Sequence, residues 1–138
     1  VVYSAAPFDA DVVASVIDYV DILCVNEHEA ASLIEARDLI NFEDLGVGAM
    51  LITYGAQGAA YHDFVSKTVS LVEGHSVNVV DTTGAGDTFC GYFVGRLSQG
   101  DGPKKALKIA NKASALQVTR PGTADSIPTL AEVLAFKP

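Results

Sequence analysis

The sequence predicts an α/β fold in which a largely parallel sheet is covered by helices on both faces, a three-layer α/β/α sandwich. Strand-like and helical segments alternate along the chain, and this order is typical of a parallel sheet. The 138 residues are 49% hydrophobic and 19% charged, which is enough for one compact domain with a substantial core. The apolar runs are too short to span a membrane.

Elements in the first half follow from hydrophobic spacing and turn residues. Residues 11–20 carry valines and an isoleucine at helical spacing. Residues 59–62 and 68–72 alternate between apolar and polar side chains, which predicts a hairpin or a pair of edge strands. The remaining predicted elements are strands at 1–4, 22–25 and 49–53, a helix at 27–36 and a helical turn within 41–48.

The second half is predicted to contain one more strand and three helices. Residues 77–80 are the predicted last strand, and helices are expected at 88–97 and 104–119 with a break between them. Small residues on one face of the second helix suit close packing. Pro128 at a helical start predicts a final helix to about residue 136.

Charge and cysteine content narrow the classes of partner. The formal net charge is −8, which argues against nucleic acid because phosphate backbones are bound by clustered Lys and Arg. Cys24 and Cys90 form no CxxC pair, so neither a zinc site nor a disulfide framework is indicated. No secretory signal is visible, and we expect a reducing, cytoplasmic setting without a membrane partner.

A glycine-rich turn at residues 81–87 (DTTGAGD) carries the chemical signal. A predicted helix follows the turn, so the N–H groups of Gly84, Ala85 and Gly86 would lie at an open helix N-terminus. Those donors and the helix dipole make an anion site. A carboxylate beside such a site repels phosphate, so Asp87 is better explained as a base that accepts a hydroxyl proton.

The alternative for this turn is an ordinary connection in which Asp87 caps the helix. The turn is not a Walker A loop, because no Gly-Lys-Ser/Thr follows, and it lacks the GxGxxG pattern of dinucleotide oxidoreductases.

Four segments, in order, resemble the ribokinase-like carbohydrate kinases, the family that includes phosphofructokinase-B. DTTGAGD followed by TFCGYF is similar to the family's second signature. Residues 26–29 (NEHE) resemble its NxxE motif, and residues 51–58 (LITYGAQG) resemble its TxGxxG nucleotide-binding strand and turn. Residues 118–128 (VTRPGTADSIP) are most similar to the ribokinase branch. The resemblance covers essentially the whole chain.

The resemblance implies that Asp87 is the catalytic base and that Gly84, Ala85 and Gly86 form the anion hole for the γ-phosphate of ATP. Asn26 and Glu29 would organise Mg²⁺ on the nucleotide, in keeping with an ion that retains several waters. The alternative for this pair is a capping box at a helix start.

Further positions follow from the same resemblance. Thr53, Gly55 and Gly58 would border the phosphates and ribose, the alternative being a plain strand–turn–strand. Asn111 would face the adenine, the alternative being a solvated helix residue. A monovalent cation, for which we expect K⁺, would lie at six positions: Asp81, Thr83, Gln117, Arg120, Gly122 and Ser126.

The implied function is transfer of the ATP γ-phosphoryl group to a sugar hydroxyl, with ribose or a related sugar favoured. A complete family member is about twice this length, so residues 1–138 would be its C-terminal nucleotide-binding portion, without the sugar-binding half and lid. A second copy or an N-terminal half would then cover the exposed sheet edge. A non-catalytic nucleotide-binding fragment and a nucleoside kinase of the same superfamily remain alternatives.

Overall fold

The computed structural model describes residues 1–138. The chain divides into two compact units, one of residues 1–54 with 60–69 and one of residues 55–59 with 70–138. None of the helices combines the length and the apolar character needed to cross a membrane.

Five strands form one sheet in the order of the chain. The first three run parallel, with Val2 opposite Ile22 and Ile22 opposite Ala49. The strands are β1 (Val2–Ser4), β2 (Ile22–Asn26), β3 (Ala49–Thr53), β4 (Gly58–Asp63) and β5 (Thr68–Glu73). The sequence predicted all five.

The helices match the predicted positions, with shifts at their ends. Short 3-10 turns lie at Ile17–Tyr19, Phe42–Leu45, Gly55–Gln57 and Ala124–Ser126. The α-helices are α1 (Ala10–Val16), α2 (Glu27–Ala36), α3 (Ala85–Ser98), α4 (Pro103–Gln117) and α5 (Leu130–Ala135).

The core of the first unit lies between its parallel strands and the helices α1 and α2. Leu23 and Met50 are fully buried and belong to the same cluster as Val13 of α1 and Leu33 of α2. Leu51, whose side chain points to the opposite face of β3 from Met50, is also buried. Burial on both faces of a strand is what a parallel sheet between helical layers requires.

The second unit is built around the packing of α3 against α4. Phe93 of α3 and Leu107 of α4 are completely buried. Ala106, Ala110 and Ala113 of α4 are buried as well, which confirms the small-residue face predicted for this helix. Helix α5 packs on α4, and its Val133 joins Ile109 and Ala113 in a small apolar cluster.

The predicted strand at residues 77–80 is wrong. The sheet ends at β5, and residues 77–80 form no strand. Instead, the N–H groups of Val80 and Asp81 both donate to the carbonyl of Val118 beyond α4, at 2.7 and 3.1 Å. Val79 and Val80 are more than half exposed, so this β-branched run is not a buried strand.

Candidate active site

The glycine-rich turn lies in the second unit and leads directly into α3. Gly84 is the N-cap residue in the left-handed conformation (φ 78°), which a glycine adopts without strain. The N–H of Ala85 donates to the carbonyl of Thr82 at 3.2 Å, and that of Thr88 donates to Gly84. No oxygen of the chain accepts a hydrogen bond from the N–H groups of Gly84, Gly86 or Asp87.

These unsatisfied donors give the helix start the chemistry of an anion site. Two of the three predicted amides, those of Gly84 and Gly86, are available to a ligand, whereas that of Ala85 is partly engaged. The backbone N–H of Asp87 is a further available donor that sequence reasoning did not count. A β-carbon added at Gly86 would meet no atom within 4 Å, so the space above this amide is open.

Asp87 occupies the first turn of α3, where its side chain is exposed. The helix has no side-chain cap, so the alternative that Asp87 caps it is wrong. The Asp87 carboxylate neither accepts a hydrogen bond from another residue nor pairs with a cation of the chain. A carboxylate in this condition can accept a proton from a bound hydroxyl.

Asp81 is used differently, because both of its carboxylate oxygens hold backbone groups. Oδ1 accepts from the N–H of Thr83 at 2.9 Å, and Oδ2 accepts from the N–H of Gly122 at 3.1 Å. The hydrogen bonds from Thr83, and then that from Gly122, lower the pKa of Asp81. The carboxylate therefore ties the turn to the loop that follows α4.

A second link between the same segments comes from Gln117, the last residue of α4. Its side-chain Nε2 donates to the carbonyl of Thr83 at 3.0 Å and to the Ser126 hydroxyl at 3.3 Å. The Ser126 hydroxyl in turn contacts the carbonyl of Gly122 at 2.8 Å. Hydrogen bonds thus join five of the six predicted cation-site residues, those at 81, 83, 117, 122 and 126.

Arg120 is joined to this network only through its backbone N–H, which donates to the carbonyl of Gln117 at 2.9 Å. Its guanidinium forms an ion pair with Glu132 of α5 at 2.8 Å. The Arg120 side chain therefore anchors α5 and makes no hydrogen bond to the turn.

In the first unit, Asn26 and Glu29 form a capping box at the start of α2. Asn26 Oδ1 accepts from the N–H of Glu29 at 2.9 Å, and Glu29 Oε2 accepts from the N–H of Asn26 at 2.8 Å. The alternative given for this pair is therefore confirmed. Thr53 lies opposite Asn26 in the register of β2 and β3, so both residues end adjacent parallel strands. Ligands of open α/β sheets bind at this edge.

Gly55 and Gly58 border a tightly packed turn in the second unit, and both have positive φ. A β-carbon at Gly58 would lie 2.0 Å from the carbonyl oxygen of Val72, and one at Gly74 would lie 1.9 Å from that of Ala56. The turn and the end of β5 are thus in direct backbone contact, and the N–H of Gly74 donates to Gln57 at 3.0 Å.

Asn111 supports the same region from α4. Its Nδ2 donates to the carbonyl of Glu73 at 2.8 Å, and the residue is only 6% exposed. The alternative of a solvated helix asparagine is therefore wrong. The assignment of Asn111 to the adenine stays a prediction.

Nowhere in the chain do three or more His, Cys, Asp or Glu side chains form a group that could hold a metal ion. The donors near the turn are oxygens: the Asp81 carboxylate, backbone carbonyls and the Ser126 hydroxyl. Oxygen donors suit the hard cations Mg²⁺ and K⁺. The buried Gln117 Oε1 is a further oxygen, and it has no hydrogen-bond partner.

The sheet and its helices define an α/β protein, and comparison with known proteins gives its family. The sequence profile of the pfkB family of carbohydrate kinases matches residues 1–130. The chain belongs to this family.

Its relatives include ribokinases. The ribokinase of Schizosaccharomyces pombe is 42% identical over 129 residues, 85% of this chain and 40% of that protein. A crystal structure of a putative ribokinase II from E. coli in complex with ATP and Mg²⁺ has a TM-score of 0.80 at 32% identity, covering 91% of this chain and 41% of that one.

A ribokinase from Thermotoga maritima has a TM-score of 0.83 at 29% identity, covering 97% of this chain and 47% of that one. The fold is therefore the ribokinase fold, as predicted. The chain spans about 40% of the length of the ribokinases of Schizosaccharomyces pombe and Staphylococcus aureus that it matches.

Proposed function

We propose that this chain carries the ATP site and the catalytic base of a sugar kinase that transfers the ATP γ-phosphoryl group to a sugar hydroxyl. The observation that carries the proposal is the exposed, unpartnered carboxylate of Asp87 beside the free N–H groups of Gly84 and Gly86. Membership of the pfkB family and the E. coli relative bound to ATP and Mg²⁺ support it.

In the proposed reaction, the Asp87 carboxylate accepts the proton of the sugar hydroxyl. The hydroxyl oxygen forms a bond to the γ-phosphorus, and the bond from that phosphorus to the β–γ bridging oxygen breaks. ADP leaves with those electrons. The N–H groups of Gly84 and Gly86, together with that of Ala85, stabilise the charge on the transferring group.

Bound Mg²⁺ would neutralise charge on the ATP phosphates, and we assign Asn26 and Glu29 to it through water. The capping box does not exclude this role, because a carboxylate can accept from several donors at once. Thr53, Gly55, Gly58 and Asn111 are proposed to border the nucleotide.

We propose K⁺ as the monovalent cation at the six positions joined around Asp81. The oxygen-only donor set and the unpartnered Gln117 Oε1 support an alkali cation there. Activity is expected to be higher in potassium chloride than in sodium or tetramethylammonium chloride at equal ionic strength. Equal rates in the three salts would contradict this assignment.

Ribose or a related sugar is the proposed acceptor, because the most similar relatives include several ribokinases. A nucleoside acceptor is the second candidate: a nucleoside kinase from Burkholderia thailandensis in complex with inosine has a TM-score of 0.81 at 25% identity.

We also propose a cytoplasmic location. The edge strand β1, with Val2 39% exposed, would be covered by a second copy or by part of a longer protein.

The test is ADP release from Mg-ATP with pentoses, hexoses and nucleosides in potassium buffer. Asp87→Asn should lower acceptor-dependent turnover by about 10²–10⁴-fold, the usual contribution of a general base. Asp18→Asn is the matched control, since Asp18 is also exposed and loses the same charge. Equal loss in both variants would refute the role of Asp87. ATP binding without turnover on any acceptor would instead favour a non-catalytic nucleotide-binding fragment.

A further inference from the structure

Gln117 is an unusual residue for the interior of the second unit. It is 1% exposed and lies among alanines and leucines of α4, yet it carries a polar amide. Its Oε1 has no hydrogen-bond partner, and an unpartnered buried polar atom is destabilising. An apolar side chain of the same size would fill this space without that cost, so the amide calls for an explanation beyond packing.

The orientation of the amide is fixed by its acceptors. The carbonyl of Thr83 can only accept, so the NH₂ group of Gln117 must face it. The Ser126 hydroxyl contacts the carbonyls of Gly122 and Thr123, at 2.8 and 2.6 Å, and is left as an acceptor toward Gln117. Reversing the amide would place an oxygen against these acceptors.

The peptide that Gln117 holds is the one that joins Thr83 to Gly84. A trans peptide is planar, and its C=O and N–H point in opposite directions. Gln117 binds the carbonyl end of this plane, whereas the N–H end belongs to Gly84 and has no partner in the chain. Fixing the carbonyl from behind therefore fixes the direction in which the Gly84 N–H points.

The Gln117 amide lies close to the backbone of Gly84. A β-carbon on Gly84 would lie 3.3 Å from Gln117 Nε2, tighter than ordinary packing. The absence of a side chain at 84 thus leaves room for the amide as well as for the positive φ of the turn.

We propose that Gln117 is a positioning residue that aims the Gly84 N–H of the anion site through its hydrogen bond to the Thr83 carbonyl. This inference rests on the proposed kinase function for its kinetic consequence. The positioning itself is a property of the turn and can be measured without turnover.

Two variants separate positioning from space filling. Gln117→Met keeps the length of the side chain but has no donor, and Gln117→Glu keeps the shape but replaces the NH₂ group by oxygen. Asp101→Asn is the control. Asp101 forms ion pairs with Arg96 of α3 and Lys105 of α4, away from the turn, so this variant weakens a different polar connection between the two helices. Circular dichroism establishes that each variant is folded.

In turnover assays, Gln117→Met should lower kcat about 10- to 100-fold and leave KM for Mg-ATP unchanged. The upper end of this range is the loss expected when one donor of an anion hole is removed. Gln117→Glu should be similarly impaired at neutral pH. Unchanged kcat in Gln117→Met would overturn the proposal.

If the wild-type chain shows no turnover, the positioning role is decided by NMR. The ¹⁵N shift of Gly84 reports the hydrogen bond to the preceding carbonyl. We expect the Gly84 cross-peak to be displaced in Gln117→Met and to stay in place in Asp101→Asn. A Gly84 cross-peak at its wild-type position in Gln117→Met would overturn the proposal.

Discussion

Replacing Gly86 by alanine should separate stability from function, because nothing in the fold of the chain requires glycine there. The residue has no positive φ, and a β-carbon would meet no atom within 4 Å. Alanine is favoured over glycine inside a helix by about 0.5–1 kcal/mol, with less expected at the second helical position. Gly86→Ala should therefore leave stability unchanged or raise it slightly, by about 1–4 °C in Tm.

The same methyl group should damage the proposed anion site. It would project into the open space above an N–H group that a phosphoryl oxygen must approach closely. Loss of one donor of this kind costs about 10²–10³ in turnover. Gly91→Ala is the matched control, because Gly91 lies on the same helix, is exposed and is equally free of contacts.

The two variants are compared by thermal unfolding, by acceptor-dependent ADP release and by titration calorimetry with Mg-ATP. We expect both to be at least as stable as wild type, with loss of turnover and weaker nucleotide binding in Gly86→Ala alone. Full activity and unchanged Mg-ATP affinity in Gly86→Ala would refute the reasoning, because the space above Gly86 would then not be where the phosphoryl group lies.

Two further predictions concern stability. Gly74→Ala should destabilise by about 1–3 kcal/mol in urea unfolding, since its β-carbon would lie 1.9 Å from the backbone oxygen of Ala56; an unchanged midpoint would contradict this contact. Hydrogen bonds from Thr129 and then Arg120 lower the pKa of Glu132 from 4.5 to about 2. The stability that ionised Glu132 contributes to the fold is therefore fully present above pH 4.5 and is lost as the pH falls through about 2. Glu132→Gln should flatten the fall of Tm over that range, and an identical profile would exclude the contribution.

Local signals in the sequence were sufficient for elements whose boundaries are set by their own residues. Helix α2 was predicted at 27–36 and is found there, because the capping box that starts it is formed within four consecutive residues, 26–29. Strand β3 at 49–53 was likewise predicted with its observed bounds. Helix α3 begins at Ala85, three residues before the prediction, because a start at the left-handed Gly84 depends on backbone geometry and not on helix propensity.

Structural features that depend on partners far away in the sequence could not be predicted. Residues 77–80 have the composition of a strand, but a strand exists only if a neighbour offers its backbone, and here the carbonyl of Val118 accepts instead. The side chain of Gln117 gave no sequence signal as a positioning group, since its acceptor Thr83 is 34 residues away. The resemblance to the family named Gln117, but as a candidate cation ligand.

The two aspartates of the turn differ in their contacts, and this difference supports the proposal that one is structural and the other is the base. Asp81 accepts backbone N–H groups on both oxygens, and these bonds hold the turn against the loop after α4. A carboxylate occupied in this way cannot take a proton from a substrate without giving up a contact that shapes the site. Asp87, six residues later, has no such contacts and is exposed at the start of α3. The hydrogen bonds made by Asp81 and Gln117 keep the turn in place, while the Asp87 carboxylate stays without a partner in the chain, as the proposed base requires.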